Sequence, residues 1–308
     1  MVSRPPHPVK PAPQRPMPQV EGAEHRLVPV RQDTDRAVLL HVAEWGSGDP
    51  VLLLHGFPQH WYAWREVAGL LAADHRVICA DLRGFGWSEQ TRRGYDAENL
   101  TADVLALLDA LGLDRVHLIG HDWGGQVAFR LCLRAPQRVA GFLGLNAPHP
   151  WPPHRAVVPA MLRMWFTAFL EYPVIGPWVL RNRPGFTRFL LRRGLGRDAA
   201  AWDEAELAEY VAATRASDRA GQQLFWQYVL REIPALLRGA QRGERLTVPT
   251  VLLGGRADPV IPPSLLAGGE RYADDLRLHI VPGAGHFLPH EQPALVADAA
   301  RELFARTP

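Results

Sequence analysis

A short glycine-rich stretch near the middle of the chain could carry nucleophilic chemistry. Residues 120–125, GHDWGG, follow the strand-like segment VHLIG and open a helix-like segment. Glycine-x-nucleophile-x-glycine between a strand and a helix is typical of a strained turn that lifts one side chain to the edge of a sheet. The central residue here is an aspartate where serine is usual. An aspartate in a tight turn can also be a helix N-cap, but this context predicts that Asp122 is a nucleophile.

Two loops late in the chain carry a candidate acid and a candidate base. The segment GRADP (255–259) follows the strand-like TVLLGG, and GAGHF (283–287) follows LRLHIVPG. Alone, Asp258 would be a turn residue before proline and His286 an ordinary loop histidine. Together with Asp122 they occur in the order nucleophile, acid, base. We therefore predict that Asp258 orients the His286 ring and stabilises its charged form.

A third segment supplies candidate donors for developing negative charge. The residues HGFP (55–58) end a strand-like apolar run. In sites of this kind the residue after His-Gly and the residue after the nucleophile each contribute a backbone N–H to an oxyanion hole. These are Phe57 and Trp123. His55 itself is not needed for the chemistry and is predicted to be a buried structural imidazole.

An aspartate nucleophile restricts the reaction. Attack on an acyl group would give a reactive anhydride, whereas attack on a saturated carbon gives an alkyl ester that activated water can cleave at the Asp122 carbonyl. The expected substrate is therefore a small apolar molecule with a leaving group on an sp³ carbon. Epoxide opening and halide displacement both satisfy this requirement.

The composition excludes several other classes. The chain has 308 residues, and 47 % of them are hydrophobic. Its formal net charge is only +2, so the charge balance does not indicate a nucleic-acid partner. The two cysteines, Cys79 and Cys132, lie in apolar segments, which favours reduced thiols and a cytoplasmic location. Residues 1–24 are rich in proline, have no signal-peptide pattern, and are predicted to be a disordered tail.

The order of segments predicts an α/β architecture. Strand-like and helix-like segments alternate through 25–147 and 240–308, which favours a mostly parallel sheet with helices on both faces. Between 148 and 239 the alternation stops, and we predict an inserted helical cap. Met161–Leu180 is apolar, but charges and prolines interrupt it, so it is not expected to span a membrane. The cap arginines are predicted to form a solvated basic face: Arg181, Arg183, Arg188, Arg192, Arg193 and Arg197.

Four segments carry a family resemblance. HGFPQHWYAWR, IGHDWGG, LNAPHP and GAGHFLPHEQP resemble the epoxide hydrolases of the α/β-hydrolase superfamily, including the hydrolase domain of soluble epoxide hydrolase. The resemblance covers roughly 25–305, is close over 51–150 and 249–293, and is poor in the cap. It implies the α/β-hydrolase fold with an eight-stranded sheet. It also implies Asp122 as nucleophile, His286 as base and Asp258 as its partner, with Phe57 and Trp123 as oxyanion donors.

The cap departs from that family, which uses two cap tyrosines to protonate the departing oxygen. Trp165 occupies the position expected for the first tyrosine, with Tyr172 a few residues on, and the second belongs near Tyr228. Tyr172 and Tyr228 are therefore candidate proton donors, although each could equally be a packing residue. Trp165 is a candidate pocket residue. Haloalkane dehalogenases share most of these motifs and hold the halide with a tryptophan beside the nucleophile, which Trp123 would match.

We expect no metal or other cofactor, because the histidines form no recognisable ligand set. Haloalkane dehalogenation remains the alternative activity. A catalytically inactive ligand-binding protein is a remote one, disfavoured by the complete triad. A serine esterase is excluded because serine does not occupy position 122.

Overall fold

The computed structural model describes residues 15–30 and 37–307. Strands and helices alternate along the core as the sequence predicts. The strands are β1 (Glu24–Val30), β2 (Val38–Trp45), β3 (Asp49–Leu54), β4 (His75–Ala80), β5 (Val116–His121), β6 (Val139–Leu145), β7 (Thr250–Gly255) and β8 (Leu276–Val281).

These strands form one sheet in the order β1-β2-β4-β3-β5-β6-β7-β8. β2 is antiparallel to both β1 and β4, and the remaining neighbours are parallel. Every residue of β5, β6 and β7 is buried, as expected for parallel strands covered on both faces. This arrangement confirms the predicted fold class and brings the carboxyl ends of β3, β5, β6, β7 and β8 to the same edge.

Thirteen helices surround the sheet in the described part of the chain. They are α1 (Arg65–Leu71), α2 (Ala97–Ala110), α3 (Trp123–Arg134), α4 (His154–Arg163), α5 (Ala168–Glu171), α6 (Ile175–Asn182), α7 (Pro184–Gly194), α8 (Glu204–Ala216), α9 (Asp218–Gln227), α10 (Ile233–Arg238), α11 (Pro263–Leu266), α12 (Leu288–Glu291) and α13 (Pro293–Ala305).

The segment predicted as the cap, 148–239, contains α4–α10. Among the described residues between β6 and β7 it has no strand. Met161–Leu180 is divided among α4, a 3₁₀ turn (Trp165–Thr167), α5 and α6. In the part of the chain that the structure describes, no helix is long and apolar enough to cross a bilayer.

The amino-terminal segment differs in part from its prediction. Residues 1–14 lie outside the described residues, but 15–23 pack on the core and Glu24 begins β1. The Arg15 guanidinium lies 3.7 Å from the Trp87 ring centroid and pairs with Glu209 on α8, while Met17 and Val20 pack against the core. The predicted tail reaches residue 24, whereas the structure places its described part, 15–24, in contact with both core and cap.

A buried carboxylate holds the turn after β4. Asp81 is inaccessible to solvent and accepts hydrogen bonds from the backbone N–H groups of Trp61 (2.7 Å) and Trp87 (2.9 Å). His41 Nδ1 lies 2.8 Å from Asp81 Oδ2, the oxygen that also accepts from Trp87. Since Trp61 lies three residues after Pro58 of the HGFP loop, Asp81 helps to position the backbone that approaches Asp122.

We predict that Asp81→Asn lowers the free energy of unfolding by about 3 kcal/mol, because an amide NH₂ group would face a backbone donor and the buried His41 would lose its charged partner. Urea unfolding measures this. The exposed Asp49→Asn is the matched control and should change stability by less than about 0.5 kcal/mol. Equal unfolding midpoints for the two variants would contradict the structural role of Asp81.

Candidate active site

The turn between β5 and α3 carries Asp122 in a strained conformation. Its backbone has φ 49° and ψ −114°, a region that residues with side chains rarely adopt. The tightness of the turn depends on Gly124, where a Cβ atom would lie 2.1 Å from the Leu54 carbonyl oxygen. The glycine therefore lets α3 start against the end of β3, and Asp122 stands at the carboxyl edge of the sheet.

The two predicted oxyanion donors contact this carboxylate. Asp122 Oδ2 accepts a hydrogen bond from the Phe57 N–H at 3.0 Å, and the Trp123 N–H also donates to the carboxylate. A Cβ on Gly56 would lie 2.5 Å from Asp122 Cβ, so only glycine permits this approach of the backbone. The arrangement presents two fixed N–H groups to one side of the Asp122 carboxylate.

His286 and Asp258 lie together behind Asp122. His286 Nδ1 is 2.9 Å from Asp258 Oδ2, and both side chains are almost fully buried. The other oxygen of Asp258 accepts from the backbone N–H groups of Val260 (2.7 Å) and Ile261 (2.9 Å). A carboxylate anchored in this way can fix the imidazole ring so that Nε2 is available for proton transfer.

Asn146, which the sequence analysis did not single out, completes this cluster. It follows β6 with φ 45° and is fully buried. Its Nδ2 group donates to Asp258 Oδ2 at 2.6 Å and to the Gly285 carbonyl at 3.2 Å. Asn146 thus links the acid and base loops. It lies within the LNAPHP segment that carried part of the family resemblance, and this was the sequence signal that could have identified Asn146.

The charges of the three groups are interdependent. Burial alone would lower the pKa of His286, but the carboxylates of Asp258 and Asp122 raise it to about 9. Burial raises the pKa of Asp122 above its usual value, although the charge of His286 and the oxyanion N–H groups oppose that shift. At neutral pH the resting site therefore favours a charged imidazole beside carboxylates.

The base loop is also bound to the cap and to the strand beside it. The His286 N–H donates to the Gly194 carbonyl at the end of α7 (2.6 Å), and His121 Nε2 lies 2.8 Å from the His286 carbonyl oxygen. His55, predicted to be structural, is buried, and its Nε2 accepts from the Leu82 N–H at 3.0 Å. These neighbours position the site without facing the substrate.

Two unequal cavities meet above Asp122. Their volumes are about 340 Å³ and 50 Å³. His286 and Phe57 line only the smaller one. The residues that line both are Asp122, Trp123, Met164, Thr167, Phe225 and Val260. The smaller cavity is large enough for one or two waters beside the base, at roughly 30 Å³ each.

The larger cavity runs along one face of α3. Trp123, Gln126, Arg130 and Leu133 line it at helical spacing, which corresponds to a length of about 15 Å. At the far end Arg130 Nη2 is ion-paired with Glu232 Oε2 at 2.6 Å, and Glu244 also lines the wall. This charge balance disfavours an anionic substrate and favours an elongated neutral one.

The candidate cap residues fall in different places. Tyr228 lines the larger cavity and packs edge-on against the Trp123 ring, with centroids 5.0 Å apart. Burial, with the nearby carboxylates of Glu232 and Asp122, raises the pKa of Tyr228, so its phenol remains protonated. It opens a π-helical turn, Tyr228–Glu232, and such turns are frequent at functional sites.

Tyr172 does not line either cavity and is 55 % exposed. The reason is local: Pro173 disfavours the helical conformation of the residue before it, and Tyr172 accordingly is extended after α5 ends at Glu171. Trp165 lines the larger cavity but is 60 % exposed, so it stands at the rim rather than beside His286.

Away from this site, the described residues include one group with metal-ligand spacing. Ligand atoms of Glu66, Glu206 and His290 lie within 4.8 Å of one another. The Arg65 guanidinium already contacts both carboxylates, which offsets one of their two negative charges.

Comparisons with known proteins agree with this geometry. Residues 49–293 match the alpha/beta hydrolase fold family. The chain is 32 % identical over 281 residues to soluble epoxide hydrolase of Corynebacterium sp. (strain C12), covering 86 % of this chain and 93 % of that protein. It is 29 % identical over 273 residues to epoxide hydrolase 4 of Homo sapiens, covering 83 % and 72 %.

A solved structure supports the same assignment. The epoxide hydrolase CorEH without ligand superimposes with a TM-score of 0.74 at 29 % identity, over 92 % of this chain and 99 % of that one. The chain belongs to the epoxide hydrolases of the α/β-hydrolase superfamily.

Proposed function

We propose that this protein opens an epoxide to a vicinal diol through an ester on Asp122. The observation that carries the proposal is the buried Asp122 carboxylate in its strained turn. Two backbone N–H groups lie against it, and the His286–Asp258 pair stands behind it. Membership in the epoxide hydrolases supports the choice of substrate class.

The first step forms the ester. Because the Phe57 N–H holds Asp122 Oδ2, the other carboxylate oxygen is the attacking atom. It forms a bond to one epoxide carbon while the bond from that carbon to the ring oxygen breaks. The alkoxide takes a proton from the Tyr228 phenol, because an alkoxide is too basic to leave without one.

The second step cleaves the ester. His286 takes a proton from water, whose oxygen attacks the Asp122 carbonyl carbon, and the Phe57 and Trp123 N–H groups stabilise the resulting oxyanion. The bond between this carbon and the alkyl oxygen then breaks, and that oxygen takes the proton from His286. The proton left on the Asp122 carboxyl returns the Tyr228 phenolate to phenol, so atoms and charges balance.

The coupling between the charges of Asp122 and His286 determines the order of these two steps. Esterification removes the negative charge of Asp122, which is one of the causes that raise the pKa of His286. Once the ester exists, the imidazole therefore releases its proton to solvent more readily and becomes an effective base, and it takes a proton back from solvent when the Asp122 carboxylate is restored. This sequence keeps Asp122 ionised for attack and His286 neutral for hydrolysis.

The cavities suggest the shape of the substrate. We propose a neutral apolar epoxide whose long substituent lies along α3, with only a small group or water beside His286.

Both cysteines are buried free thiols, which supports a cytoplasmic location.

We predict that His286→Gln accumulates the ester. Incubation with an epoxide should add the mass of one substrate to the protein, located on the peptide that contains Asp122, while turnover falls at least about a hundredfold. Intact-protein and peptide mass spectrometry detect the adduct. Asp122→Ala should show neither adduct nor turnover, and the exposed His279→Gln should behave like the wild type. Normal turnover by His286→Gln, or an adduct on another residue, would remove the proposed roles.

The choice between epoxide and halide depends on the cap phenol. Tyr228→Phe should lower kcat on an epoxide by about a hundredfold or more, because general acid catalysis is lost. The matched variant Tyr172→Phe should leave kcat unchanged. If Tyr228→Phe keeps full activity, or the wild type releases halide from a haloalkane faster than it opens epoxides, dehalogenation becomes the better proposal.

A further inference from the structure

The outer surface of the cap carries an unusual concentration of exposed apolar side chains. The described residues include sixteen large apolar side chains with substantial exposure, and nine of them fall between 158 and 178. These nine, which we call the cap patch, are 43–80 % exposed: Val158, Met161, Leu162, Trp165, Phe169, Tyr172, Val174, Ile175 and Trp178.

The cap patch is the outward side of helices that already bury an inward side. Ala156 and Ala160 on α4, Leu170 on α5 and Leu180 on α6 are buried, and α5 and α6 pack on α9. The outward face of such helices is normally polar. A concentrated apolar surface on a folded protein indicates an interaction site.

The cap patch and the larger cavity share residues. Met161 and Trp165 line the cavity above Asp122 and are also 43 % and 60 % exposed. The cavity therefore reaches the surface within the patch, so whatever covers the patch also controls what enters the cavity.

Positive charge accompanies this surface. Between 155 and 183 the sequence has four arginines and one acid, Glu171, which lines the cavity. Arg155, Arg163 and Arg183 are exposed, and the Arg183 guanidinium lies 4.9 Å from the Trp178 ring centroid. Apolar side chains with a basic border match a surface that is apolar inside and anionic outside.

We propose that the cap patch docks on the surface of an anionic phospholipid membrane and that apolar substrate passes from the bilayer into the larger cavity. Trp165, Tyr172 and Trp178 are the residue types that settle at the level of lipid headgroups. A second copy of the chain fits the patch less well. In a symmetric dimer the patch would meet itself, and the arginines of the two copies would approach each other.

Flotation of the full chain with vesicles tests this docking without reference to turnover. We expect binding to vesicles of phosphatidylcholine mixed with phosphatidylglycerol, weak binding to phosphatidylcholine alone, and release by added salt. Leu162→Ser/Val174→Ser should weaken binding at least about tenfold, because two partly inserted apolar side chains are removed. Arg155→Gln/Arg163→Gln should weaken it by about fivefold per arginine.

The control is Leu70→Ser/Leu295→Ser, which removes two leucines outside the cap patch that are 39 % and 37 % exposed, and this variant should bind as the wild type does. Neither Leu162 nor Val174 lines a cavity, so their variant should turn over a short, water-soluble epoxide normally. Failure of the wild type to bind anionic vesicles, or equal binding by all variants, would overturn the proposal. So would a dimer that only Leu162→Ser/Val174→Ser dissociates, since a second copy would then cover the patch.

Discussion

Asp122 holds a backbone conformation that residues with side chains avoid, and the arrangement of the site follows from that constraint. A strained non-glycine residue of this kind costs of order 1–3 kcal/mol and persists only where its surroundings enforce it. The enforcement comes from β5, which lies near the middle of the sheet with both faces covered, and from Gly124 against the end of β3. As a result, the Asp122 carboxylate projects beyond the edge of the sheet. It faces the Phe57 and Trp123 N–H groups on one side and His286 on the other.

The electrostatics of the site depend on the same placement. The carboxylates of Asp258 and Asp122 raise the pKa of His286, and Asp122 is the proposed nucleophile. In the proposed mechanism, esterification of Asp122 therefore changes the basicity of His286 as well as the substrate. Asp258 forms no ester in this mechanism and keeps its charge. Asn146 and two backbone N–H groups hold its carboxylate in place. In the proposed mechanism, Asp258 is the constant partner of the His286 ring, while the charge of Asp122 changes during the reaction.

The parts of the protein that were predictable from sequence are those encoded locally. Asp122, Asp258 and His286 each lie in a short loop directly after an apolar strand, and parallel strands bring such loops to one edge whatever lies between them. Asn146 was missed because its role depends on a contact with Asp258, more than a hundred residues away. The contacts of residues 15–24 were not evident from sequence for a similar reason, since Arg15 is held by Trp87 and Glu209. Tyr172 could have been judged better from sequence, because Pro173 already disfavours a helical continuation.

The central claim is that Asp122, rather than water, attacks the substrate. A single turnover in ¹⁸O-water, with enzyme in excess over an epoxide, tests it most directly. If the account is right, the first diol is largely unlabelled, because its new oxygen comes from the Asp122 carboxylate, and the heavy atom is found on the peptide that contains Asp122. Label mainly in the diol, with that peptide unlabelled, would mean direct attack by water and would contradict the ester mechanism.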